Sequence, residues 1–259
     1  MSLETLPLEL LFRVLDFISN PYNATSFEHH PINSLAATSK HFDSGVEEYT
    51  RALLKQHANF APRKKSKTYT SRRKWLGETC QLCYKKSKRH STFWKNLTCC
   101  LACDRKHFPK VTMTNAVQQH NLSKLDIFTP NIMHPALPRL VHGEYSVMGG
   151  VATMVYEPDL VSRRDYIHSQ LIEPDRHPSM LRKRIRRHET LMRHMTITYS
   201  TRLQLWCRTA YCDEVVSRPG RPSLEMPESR EEYVRTALAY ERLVMGMKGS
   251  SEDNAIKLE

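Results

Sequence analysis

Residues 80–103 read CQLCYKKSKRHSTFWKNLTCCLAC and hold five of the chain's seven cysteines. Cys80 and Cys83 form one C-x-x-C pair, Cys100 and Cys103 a second, and sixteen residues separate them. Two such pairs at this distance are the pattern of a four-thiolate zinc site. Each pair turns the chain so that two sulfurs face one ion, at about 2.3 Å. Cys99-x3-Cys103 is a second way to pair, but C-x-x-C geometry favours Cys100 and leaves Cys99 as a packed free thiol. His90 and His107 are alternative ligands ranked below the cysteines. Zinc holds thiolates, and nearby cations keep them ionised, which gives Lys85, Lys86, Lys88, Arg89 and Lys95 one physical role. Four cysteines close the coordination shell, so the expected ion is structural. A catalytic zinc keeps an open position for water, usually beside a Glu or His base. Here only Glu78 and Asp104 are near, and no His-x-Glu deaminase pattern is present.

The chain has 259 residues and a formal charge of +12. Positions 61–125 carry sixteen Lys and Arg against two acids, so the positive charge is local. Such a segment is attracted to nucleic acid or to an acidic protein face. Lys85, Lys86, Lys88, Arg89 and Lys95 are the candidate phosphate contacts, with Phe93 or Trp94 as stacking partners. The apolar opening LPLELLFRVLDFI is interrupted by Glu9, Arg13 and Asp16, which argues against a signal peptide. The most apolar uncharged stretch, 145–156, is too short to span a bilayer, so no membrane association is expected. The expected setting is the cytoplasm or nucleus, where disulfides do not persist. Phosphate-cradling glycine loops, G-x-S-x-G and H-E-x-x-H are absent from the sequence, and an enzyme is not expected.

The elements that must position these residues are mostly helical. TLPLELLFRVLDFISN (5–20) opens a helix with Pro7 at its start and Glu9 in its first turn. Leu10, Leu11, Val14, Leu15 and Ile18 are placed on one face. Residues 20–31 read as a polar loop. Residues 32–55 carry further helix, with Leu35, Thr38 and Phe42 packing back, then Val46, Tyr49, Leu53 and Leu54. APRKKSKTYTSRRKW (61–75) reads as a basic linker. Thr112 or Thr114 caps a helix with Ala116 and Val117 on one side. Residues 142–158 alternate as two strands around Gly149-Gly150. Helices are expected over 159–172, over the basic 177–195 and over 230–247, the last with a stripe of Tyr233, Ala237, Tyr240 and Val244. Cys207 and Cys212 are read as packed core thiols.

Leu6, Pro7, Glu9 and Leu10, then Leu15, Ile18 and the later SLAATSKHF (34–42), resemble an F-box. That family docks three short helices on the Skp adaptor subunit of cullin-RING ubiquitin ligases. The resemblance covers roughly 5–54 and implies a Skp-binding surface at Leu6, Pro7, Leu10, Leu11 and Leu15, a cullin scaffold beyond it, and an unidentified target protein. Independently, Leu6, Leu8, Leu11 and Leu15 supply more apolar area than one short helix pair can hide, which points to a partner.

A second resemblance follows the cysteines. Thr112, Thr114, Ala116 and Leu122, then Leu125-Asp126-Ile127, a hairpin and a helix, resemble the DNA-binding domain of the xeroderma pigmentosum group A protein over roughly 78–170. Lysines usual in that family are here Met113 and Val117. Fungal F-box proteins carrying such a zinc module are the family the two resemblances together suggest.

The resulting expectation is a mostly α fold with a small α+β zinc module. It divides into an F-box-like helical domain (1–57), a basic linker (58–77), a four-cysteine α+β domain (78–172), a helical basic region (177–216), a linker (217–229), a C-terminal helix (230–247) and a disordered tail (248–259). The expected function is a substrate-recognition adaptor of an SCF-type ubiquitin ligase, stabilised by one structural zinc. The alternatives are a nucleic-acid-binding zinc protein or a zinc-stabilised scaffold.

Overall fold

The computed structural model describes residues 6–20, 29–59, 70–147, 149–208 and 226–245. Most of the 20–31 loop, the basic linker through 69, Tyr211, Cys212, positions 217–225 and the 248–259 tail lie outside these. The described chain is mostly helical with two small antiparallel sheets. It divides into two compact units, 1–109 and 110–259. The four-cysteine segment falls in the same compact unit as the N-terminal helices.

The first unit starts with α1 (Leu8–Ser19), α2 (Pro31–Ala36) and α3 (Lys40–Ala58). Pro7 stands just before the first helical residue of α1. The His30 side chain caps α2, and Ser39 caps α3 by accepting from the Phe42 N–H at 3.3 Å. Leu11, Leu15, Ile32, Ala36, Phe42, Val46 and Tyr49 form their shared core. Tyr49 donates to Asp16 at 2.7 Å and packs edge-on against Phe12, tying α1 to α3. Gly45 lies at the crossing, where a Cβ would meet the Leu11 side chain at 2.7 Å. Thr38 is exposed and caps its own turn instead of packing inward.

The basic linker does not reach Trp75 as a linker. Ser71–Glu78 is a helix, α4, capped by Thr70. Glu47 accepts from the Ser71 N–H at 2.7 Å, and Arg72 pairs with Asp43 at 2.9 Å. Trp75 is fully buried. One aromatic anchor and two acids on α3 outweigh the basic composition that reads as a solvated connector.

The second unit is built on β1 (Lys110–Thr112), β2 (His142–Val147) and β3 (Gly150–Tyr156), ordered β1-β3-β2 and all antiparallel. Val147 pairs with Gly150 across the expected turn, where Gly149 takes φ +88°. Helices α6 (Met113–His120), α7 (Lys124–Ile127), α8 (Glu157–Gln170) and α9 (Pro178–His194) surround the sheet's core. A second hairpin, β4 (Ile197–Ser200) and β5 (Leu205–Arg208), follows. The last helix, α10 (Pro227–Val244), begins inside the expected 217–229 linker. Its inward residues are Tyr233, stacked on the buried His194, with Val234, Ala237, Leu238, Glu241 and Val244; Tyr240 of the expected stripe is outside, beneath the Arg187 guanidinium. Cys207 is half-buried on β5, not a core thiol.

At the centre of this unit lies a polar cluster. Ser123 and Asp126 form a capping box at the start of α7. The fully buried Asp126 also accepts both terminal nitrogens of Arg184 at 2.8 Å, and lies 3.0 Å from His134. Arg184 reaches on to Glu241 of α10, and His188 sits between Ser123 (2.6 Å) and Glu241 (3.2 Å). Burial opposes ionising Asp126, but Arg184, His134 and His188 hold it well below the usual carboxylate range. Burial likewise opposes Glu241, and His188 and Arg184 bring it to about 2. Burial and the Arg184 charge push His188 down.

All three shifts act in one direction. The carboxylates stabilise the fold above their unfolded values and lose that contribution as pH falls through their folded ones. The folded state also resists protonating His188 as pH falls past 6.5. Denaturant melts of the full chain are expected to weaken steadily on acidification from pH 7 towards 3. Asp126→Ala is expected to destabilise the second unit by about 3–5 kcal/mol, because it leaves both terminal nitrogens of the buried Arg184 without an acceptor, Glu241 holding only its Nε.

Candidate metal centre

The chain between Thr79 and Asp104 has little regular structure and is held by specific contacts. Two isolated bridges, Thr79 with Lys86 and His90 with Thr98, close two loops. In the first, the Tyr84 N–H donates to the Cys80 carbonyl at 2.8 Å and the Cys80 N–H to Lys85 at 2.9 Å. This turn requires φ +60° at Tyr84, a conformation that disfavours a side chain. The Tyr84 ring is held by packing at 4.7 Å from His57 and 5.6 Å from Trp75. Cys100 stands immediately before α5 (Leu101–His107), which places Cys103 in the first turn of that helix.

These local turns bring Cys80, Cys83, Cys100 and Cys103 together, with all four sulfurs within 4.8 Å of one another. The Cys83 and Cys100 sulfurs are 3.7 Å apart. Tetrahedral zinc with bonds of about 2.3 Å requires sulfurs about 3.8 Å apart. The four side chains therefore fit one metal ion, and an all-thiolate set selects a soft or borderline one. Cys99 is buried with its thiol turned to the Cys100 carbonyl. His90 and His107 are outside the group of four.

Burial works against ionising Cys80, but N–H groups of Cys100, Leu82 and Cys83 outweigh it and bring its thiol down to about 7. Burial pushes Cys83, Cys99 and Cys103 up. Four sulfurs this close cannot all carry charge without a cation among them, so metal binding must release protons.

The charged neighbours divide into two groups. Lys85, Lys86, Lys88 and Lys95 are exposed, and Lys88 lies 3.6 Å from Glu78. Arg89 instead turns inward to the buried Asp104 at 3.2 Å, which also accepts from Ser91, the Thr92 N–H and the Thr92 hydroxyl. The Arg89 guanidinium thus neutralises Asp104. Phe93 and Trp94 are half-buried, with Trp94 packed 4.8 Å from Phe108.

Sequence reasoning did not find Gln81 and Thr98, which join this segment to α4. The Gln81 side chain donates to the carbonyls of Trp75 (3.1 Å) and Thr79 (2.8 Å), and the Thr98 hydroxyl donates to that of Leu76. Both lie beside cysteines, yet polar residue types give no sign that they are buried.

Cobalt(II) titration of the full chain is expected to saturate at one ion with tetrahedral thiolate absorption. Cys80→Ser or Cys103→Ser should abolish that spectrum at stoichiometric metal, and Cys99→Ala should leave it intact; a change of spectrum in Cys99→Ala would make Cys99 a ligand. Comparison with family models, with curated proteins and with solved structures finds no match to this chain.

Proposed function

We propose that the protein is a substrate-recognition adaptor of a cullin-RING ubiquitin ligase, docking through α1–α3 on the Skp-type subunit and stabilised by one zinc ion on Cys80, Cys83, Cys100 and Cys103. The observation that carries the reading is on α1. Leu11, Leu15 and Ile18, at i, i+4 and i+7, face its own core. Leu10, Val14 and Phe17 repeat the same spacing one residue earlier and are 45%, 38% and 67% exposed. Leu8 adds a further exposed apolar side chain. A helix apolar on two faces has one face to offer a partner.

This divides the residues that the F-box resemblance suggests. Leu10 faces outward with Leu8, Val14 and Phe17, and Pro7 is exposed beside them. Leu11 and Leu15 are buried against α2 and α3, so they shape the docking face from behind instead of touching a partner. The adaptor supplies no catalytic group. It raises the local concentration of a bound target beside a ubiquitin-loaded enzyme. No described helix is long and apolar enough to cross a membrane.

A second reading, nucleic-acid binding, rests on the exposed Lys85, Lys86, Lys88 and Lys95 beside the metal centre. Phosphate contacts of this kind weaken steeply with salt, whereas an apolar helix interface does not.

Leu10→Ala with Phe17→Ala is expected to weaken binding to the Skp-type subunit at least tenfold without lowering the melting temperature. Leu11→Ala is expected to destabilise the first unit by about 2–5 kcal/mol. Equal adaptor binding by the first double variant would remove the docking assignment. For the second reading, anisotropy with a single-stranded oligonucleotide should show affinity falling with salt and with Lys85→Ala and Lys86→Ala; affinity indifferent to both would dismiss it.

A further inference from the structure

The metal centre and the proposed docking helices belong to one compact unit, and a short path of contacts joins them. At one end, Cys80 and Cys83 bracket Gln81. Its side chain donates to the carbonyls of Trp75 and Thr79, while its N–H donates to the Thr98 carbonyl at 2.9 Å. Thr98, two residues before Cys100, donates through its hydroxyl to the Leu76 carbonyl. Both metal-binding loops are thus fastened to the last turn of α4.

Helix α4 is fastened in turn to α3. Glu47 accepts from the Ser71 N–H, Arg72 pairs with Asp43, and Leu76 packs against the core shared by α1, α2 and α3. The Tyr84 ring, adjacent to Cys83, completes a cluster with Trp75 and with His57 near the end of α3. From α3, Tyr49 and Gly45 set the position of α1.

The loops carrying the cysteines have few apolar residues to hold them. Leu97 and Cys99 are the buried apolar side chains they contribute beyond Cys80. A single ion on the four sulfurs would cross-link the two loops where they meet. When the sulfurs separate, the Gln81 and Thr98 hydrogen bonds lose their anchor, and the α4 end of α3 loses its packing with Tyr84.

We infer that the metal centre controls the docking helices: with the four cysteines joined on one ion, α4 braces α3 and α1 presents Leu10, Val14 and Phe17; with the cysteines apart, that face is no longer held for its partner. The inference rests on the adaptor reading for what docks there, but the mechanical coupling stands on the contacts themselves. It makes the ligase adaptor responsive to metal supply.

The test uses the full chain before and after treatment with a strong chelator, then after return of zinc(II). Amide hydrogen exchange is followed across α1, α3 and α4, and affinity for the purified Skp-type subunit is measured in parallel. Metal removal is expected to speed exchange in α3 and α4 at least tenfold and to weaken adaptor binding at least tenfold, both restored by zinc(II). A double variant, Gln81→Leu with Thr98→Val, retains all four ligands. It should still bind one metal ion yet show the faster exchange and the weaker docking. Unchanged exchange in α3 on metal removal would overturn the coupling. Equal adaptor binding by the loaded and stripped chain would also overturn it, while leaving the adaptor reading in place. If the loaded chain binds no adaptor, the adaptor reading fails, and the exchange measurement alone decides the coupling.

Discussion

Negative charge placed away from water has to be matched where it sits, and both units of this protein are arranged around that requirement. In the first, four sulfurs lie within 4.8 Å of one another, and Asp104 is buried close by. Arg89, Ser91 and Thr92 satisfy the carboxylate, while the sulfurs call for a cation at their centre. In the second, Asp126 and Glu241 are held by Arg184, with His134 and His188 completing the contacts. Desolvating such groups is expensive unless their partners are rigidly placed. The surrounding helices are the means of placing them.

This arrangement explains which features the sequence discloses. Cys80, Cys83, Cys100 and Cys103 are identifiable because ligand spacing is a local property that survives without knowledge of the fold. The β2–β3 hairpin is identifiable for the same reason, through Gly149 and the alternation around it. Arg184, His188 and Glu241 are not. Each sits in a helix rich in charged residues, where one buried charge looks like its solvated neighbours. A faint signal exists: Arg184 and His188 fall in the stripe of Leu181, Ile185 and Leu191, and Ser123-x-x-Asp126 is a capping box. Neither identifies the partner, because Asp126 and Arg184 are brought together only by tertiary structure.

The misread faces have a similar origin. In α1, apolar residues occupy two stripes offset by one position, so periodicity alone merges Leu10 and Val14 with Leu11 and Leu15. Only α2 and α3 decide which stripe is covered. In α4, composition points to a linker, and a single tryptophan between acids on α3 and a tyrosine in the cysteine loop reverses it. In both places residues on other elements supply the partners that decide.

The buried cluster of the second unit also bears on the order in which the chain is made. Asp126 and Arg184 emerge from the ribosome well before Glu241. Until α10 is synthesised, Arg184 and His188 lack their second carboxylate and the Val244 contribution to the core is missing. The first unit, by contrast, is complete once Pro109 has cleared the exit tunnel. Domains that fold as units during synthesis do so from the N-terminus. Glu241 is therefore the last member of the buried cluster to be synthesised, after both of its partners on α9.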